Sequence, residues 1–114
     1  CPSGYKSHGG ICYKAFNTEK TFLQASEACY ADGGTLAMPR DAATNAFIKS
    51  LKDDVDPSGF FWFGLVDQHQ ENEWVWIDGR PLGSFSDWKP GEPNNAGDED
   101  FAEYFPTQWN DVGG

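Results

Sequence analysis

The sequence predicts an α+β domain with two helices, antiparallel sheets of short strands and one long loop. Three observations predict it. Two amphipathic segments at helical spacing occupy the first half, aromatic strand-like runs crowd the second, and from about Ser86 to Asp100 neither periodicity is present. Strands and helices do not alternate, and no internal repeat or linker is visible. At 114 residues, with 39% hydrophobic and 16% aromatic content, the chain has the length and apolar material for one domain, residues 1–114, with its own core.

The elements follow in order. Cys1 and Cys12 bracket "PSGYKSHGGI", whose paired glycines suit a turn, and "ICYKAF", Ile11 to Phe16, alternates like a strand. Three cysteines allow three pairings, and a short hairpin stapled by Cys1 and Cys12 would leave Cys29 over. Reduced, buried thiols are the alternative; the preferred reading is an extracellular, oxidised protein. Glu19 to Ala31 carries Phe22, Ala25, Ala28 and Cys29 at helical spacing, with Asn17 and Thr18 as possible caps, Cys29 facing inward and Gly33-Gly34 as the stop. A second helix starts near Asp41, with Phe47, Ile48 and Leu51 on one face, and ends in the acidic turn "DDVDPSG". "FFWFGLV", from Phe60, reads as a strand buried on both faces, and "EWVWID" as a strand closing on Asp78-Gly79. "FAEYF" and "QWNDV" are two short strands separated by Pro106.

The charge narrows the functional classes. Eighteen acidic against eight basic residues give a net charge of −10, which disfavours nucleic acid and anionic membranes as partners and favours a bound cation. No apolar run approaches the ~20 residues of a membrane span, and no charged-then-apolar leader opens the chain, so a soluble, already processed secreted protein without membrane insertion is expected.

The acid is concentrated in "EPNNAGDEDF". Glu92, Asn94, Asn95, Asp98, Glu99 and Asp100 supply six oxygen-bearing side chains within ten residues. Calcium takes six to eight oxygens from carboxylates, amides, carbonyls and water, in geometries that loops can supply. The helix-loop-helix calcium motif does not fit, lacking regularly spaced oxygens, a central Gly and a closing Glu. Zinc fits worse, because His8 and His69 are isolated and remote from the cysteines. A cis bond at Glu92-Pro93 would turn Glu92 and Asn94 toward one point. The plain alternative is a solvated acidic loop.

Four features together make the chain resemble a C-type lectin domain over nearly its whole length. "CPSGYKSHGGICYKAF" is similar to the amino-terminal hairpin of the long form. "ASEACYADGGTLAMP" is similar to the first helix with its cysteine and following strand. "FWFGL" stands where the family has its WIGL motif, and "EPN" followed by "WND" matches the calcium and sugar signature. The resemblance implies a principal calcium ion held by Glu92, Asn94, Glu99, Asn110 and Asp111, the last also through its carbonyl. A second site is implied by Asp67, Glu71, Asn95, Glu99 and Asp100, with Asn95 standing where some members have Asp.

The resemblance further implies that two vicinal sugar hydroxyls complete the shell of the principal calcium while Glu92, Asn94, Glu99, Asn110 and Asp111 bond the same hydroxyls. A carboxylate only accepts and an amide nitrogen donates, so Glu92 and Asn94 impose a polarity on the hydroxyl pair. EPN resembles members that select mannose, glucose, fucose or N-acetylglucosamine, whereas QPD is associated with galactose. Glycan or microbial-surface recognition is the expected role.

The chain also departs from the family. Phe101 stands where a cysteine is usual, its partner would follow the WND strand where this chain has "VGG", and the usual final strand carrying the partner of Cys29 is expected to fall outside residues 1–114 or to be lacking. Among the aromatics, Phe61, Trp62 and Phe63 are expected in the core, Trp76, Trp88 and Trp109 beneath the loops, and Trp74 is ambiguous. Two other classes compete with the lectin. One is a lectin-like interaction domain for a protein, ice or lipid surface with structural calcium; the other is a glycosidase, disfavoured because its carboxylate pair needs a fixed separation and one raised pKa.

Overall fold

The computed structural model describes residues 1–16, 21–67, 73–92, 101–104 and 108–112. The first element is a hairpin, β1 (Lys6–His8) and β2 (Ile11–Tyr13), paired antiparallel with His8 opposite Ile11. Its turn is Gly9-Gly10, both at positive φ, a region open to glycine without a Cβ penalty. Cys1 and Cys12 are joined by a disulfide that closes the hairpin, while Cys29 is a free thiol. The expected strand to Phe16 stops at Tyr13, because β1 offers only three residues to pair with.

Helix α1 spans Phe22–Ala31 and α2 spans Ala42–Val55. The cap of α1 is Thr21 rather than Asn17 or Thr18, which lie outside the described residues. Thr21 Oγ1 accepts from Gln24 N and Gln24 Oε1 from Thr21 N, a reciprocal capping box. Asp41 caps α2, and the Thr44 N–H that its carboxylate accepts holds the carboxyl below its usual range. No residue of α1 is fully buried; Cys29 faces the protein as expected but is only half-buried, and burial pushes its thiol up.

Helix α2 buries Asn45, Ile48 and Lys52, a stripe at spacings of three and four that includes two polar residues.

Four strands form the main antiparallel sheet in the order β4-β3-β5-β6, where β3 is Phe61–Val66, β4 Val75–Trp76, β5 Phe101–Tyr104 and β6 Trp109–Val112. The register between β3 and β5 shifts between Trp62 and Val66, marking a bulge or irregularity. Gly64 is required where β3 passes its neighbours: a Cβ there would lie 2.8 Å from Ile77 Cγ1 and 3.2 Å from Ala37 O. The expected strand "EWVWID" shrinks to Val75–Trp76, since Ile77 to Gly79 turn away with Gly79 at φ 93°. Only the later part of β3 is buried on both faces. Phe61 and Trp62 are half-buried, with Trp62 edge-on to Phe22 and Phe101.

The core is aromatic. Phe63 lies between Tyr104, at 4.9 Å between ring centroids, and Trp109, at 5.0 Å, and Trp76 stands edge-on to Trp109. Trp74 resolves as a buried residue, tilted at 4.9 Å against Trp88, which itself meets Trp109 edge-on. A separate groove of about 800 Å³ runs between the hairpin, α1, α2 and β3 and is lined in part by Ile11, Cys29, Leu51 and Phe61. No helix among the described residues is long and apolar enough to cross a membrane.

Candidate functional site

The WND segment forms β6, so strand alternation decides what each side chain does. Trp109 and Asp111 share one face and are both fully buried, while Asn110 takes the other face. Pairing with β5 sets Asp111 opposite Ala102 and Asn110 opposite Glu103. Glu92 arrives from a different segment, 85–92, through a chain of main-chain hydrogen bonds. Trp109 N donates to Asp87 O at 2.8 Å, Lys89 N donates to Trp109 O at 2.8 Å, and Glu92 N donates to Lys89 O at 2.9 Å. Glu92 and the WND strand, distant in sequence, are thereby tied through Trp109.

Asp67 lies buried at the end of β3. Of the nine candidate ligands, Asp67, Glu92, Asn110 and Asp111 are described; Glu71, Asn94, Asn95, Glu99 and Asp100 lie outside the described residues. Among the described residues alone, no three His, Cys, Asp or Glu side chains gather as a metal-binding group. The donor set nevertheless fits a hard cation. Asn110 Oδ1 is buried and accepts no hydrogen bond among the described residues, as expected of an oxygen that a cation completes. The groove is lined by none of the four described candidate ligands, Asp67, Glu92, Asn110 and Asp111.

Beneath the site lies a polar node that the sequence did not single out. Asn45 Oδ1 accepts from the Tyr104 hydroxyl at 2.6 Å and from Trp109 Nε1 at 3.3 Å. Asn45 Nδ2 donates to Asp87 Oδ2 at 2.8 Å, and the same oxygen takes Lys49 Nζ at 2.8 Å. The available signal was a polar residue three before Ile48 on the inward face of α2.

Glu103 is the other buried acid near β6. Burial pushes its carboxyl from 4.5 up to about 7. The folded state thus holds a proton that the unfolded chain releases between pH 4.5 and about 7, and stability is lost as pH rises through that window. Glu103→Gln is expected to match the parent in chelator-treated melting below pH 4.5 and to exceed it above pH 7; an equal difference at both ends would contradict this.

Residues 18–113 match the model of the Lectin C-type domain, and the chain belongs to the C-type lectin domain family. It is 36% identical over 113 residues to C-type lectin domain family 4 member M from Nomascus concolor, covering 97% of this chain and 28% of that protein. The mouse scavenger receptor C-type lectin carbohydrate-recognition domain superposes with a TM-score of 0.89 at 30% identity, covering 98% of this chain and 88% of that one. A calcium-independent type II antifreeze protein shares the fold with a TM-score of 0.83 at 26% identity, covering 98% of this chain and 84% of its own.

Proposed function

We propose that the domain is a non-catalytic, calcium-dependent lectin module that binds mannose-type sugars through two vicinal hydroxyls. The observation that carries this reading is the convergence on Trp109 of the Glu92 and Asn110-Asp111 segments, together with the buried Asn110 Oδ1, which accepts no hydrogen bond among the described residues. Glu92, Asn94, Glu99, Asn110 and Asp111 hold the principal calcium, which supplies a Lewis-acidic centre for the hydroxyl pair when bound. Asp67, Glu71, Asn95, Glu99 and Asp100 hold a second.

Glu92 accepts from one sugar hydroxyl and Asn94 donates to the other, which sets the direction of the pair and favours mannose over galactose. The Cys1–Cys12 disulfide supports secretion into an oxidising compartment. A shallow site with two hydroxyl contacts binds a single sugar weakly, so useful affinity comes from several domains acting together.

The test is a glycan array read with calcium and with chelator. Mannose, fucose and N-acetylglucosamine are expected to be retained ahead of galactose, and chelator is expected to release all of them. A galactose-first order or chelator-insensitive sugar binding would overturn the reading. The calcium-independent antifreeze relative favours a second reading, a lectin-like domain for a protein, ice or lipid surface; an array blank in both conditions would select it.

A further inference from the structure

We infer that Asn45 and Asp87 are positioning residues for the calcium site, acting as a clasp that sets the spacing between Glu92 and the WND strand; this rests on the lectin reading above. Asn45 is 4% exposed and satisfies three groups at once: the Tyr104 hydroxyl on β5, the Trp109 indole on β6 and the Asp87 carboxylate. Asp87 in turn joins both halves. Its side chain is held by Asn45 and Lys49 on α2, and its main-chain oxygen accepts the N–H of Trp109.

From that point the chain leads two ways. Trp109 continues directly into Asn110 and Asp111, and its carbonyl holds Lys89, whose own carbonyl holds Glu92. Each half reaches α2 through Asn45 or Asp87, and the link between the halves passes through the same Trp109. Tyr104 sits opposite Trp109 in the register, so one acceptor, Asn45 Oδ1, fixes two adjacent strands against the helix. A metal site is sensitive to this kind of support, since its ligands need a defined separation to close on one ion.

The hydrogen-bond pattern can be broken and then restored with the partners exchanged. Asn45→Leu keeps the branching of the side chain at somewhat greater bulk but leaves Tyr104 and Trp109 without an acceptor and Asp87 without a donor from position 45. Asp87→Ala removes the other side of the clasp from a side chain that is 19% exposed, and serves if the first variant does not fold. In the exchange Asn45→Asp with Asp87→Asn, the carboxylate at 45 accepts from Tyr104, Trp109 and the amide at 87, whose oxygen accepts from Lys49. The hydrogen bonds of position 45 return, whereas Lys49, which shares Asp87 Oδ2 with Asn45 in the parent, has to turn to the other atom of the amide; that shift and the charge moved inward lower stability.

Calcium affinity is measured by titration of tryptophan fluorescence well below each variant's melting temperature, and melting is measured separately in chelator. The single variants are expected to raise the calcium dissociation constant about tenfold or more, in line with supporting partners of metal ligands elsewhere. The exchange is expected to return it to within a few-fold of the parent while remaining less stable. Parental affinity in a folded single variant would assign the clasp to stability alone and overturn the inference. Weakened binding that the exchange does not restore would overturn it as well. A parent protein that binds no calcium would instead sink the lectin reading, and the clasp with it.

Discussion

Asp111→Ala is expected to abolish calcium-dependent retention on immobilised mannose while the protein remains folded. Asp111 is fully buried on β6, so its carboxylate has given up bulk solvation. Under the lectin reading the cation repays that cost and the side chain contributes two oxygens' worth of ligand capacity. Truncation removes the charge together with part of the cation's shell, leaving the aromatic cluster of Phe63, Trp76 and Trp109 in place. The expected result is a melting curve in chelator close to the parent's, with no upward shift when calcium is added. The parent should gain stability with calcium by mass action. Mannose binding that survives the substitution would show that position 111 is not a ligand.

Phe63→Ala is expected to give the largest loss of stability. Phe63 is 1% exposed and its ring meets Trp76, Tyr104 and Trp109, so truncation opens a void bounded by side chains from β4, β5 and β6. Losses for Phe→Ala in a close-packed core run to about 3–5 kcal/mol. Domains of this size hold only about 5–15 kcal/mol in total, so the variant should be partly unfolded at ambient temperature or melt far below the parent. Phe60, 57% exposed and just before β3, is the control: Phe60→Ala is expected to stay within about 0.5 kcal/mol. Urea midpoints of the two variants check both, and equal midpoints would refute the assignment of the core.

The sequence by itself determined the local elements and the family. The Gly9-Gly10 turn, the start of α2 near Asp41 and the strand at β3 are readable because each depends on neighbours within a few residues. The EPN and WND tripeptides stood out through the resemblance to the C-type lectin family, since spacing alone leaves a solvated acidic loop as an equal alternative. Only the tertiary structure decided matters that depend on distant partners. Strand order β4-β3-β5-β6, the shortness of β4 and the burial of Trp74 follow from which segments pack together, and a one-dimensional pattern carries no information about that choice.

Asn45 shows the reason most clearly. In the sequence it is one polar residue in an amphipathic helix, and its importance comes from Tyr104 and Trp109, 59 and 64 positions away, which need an acceptor where the helix meets the sheet. Glu103 is similar: alternation makes it a strand residue, but its raised pKa comes from the surrounding atoms that exclude water. Periodicity records which face a residue takes, whereas burial and hydrogen-bond partners are set by what the rest of the chain places against that face.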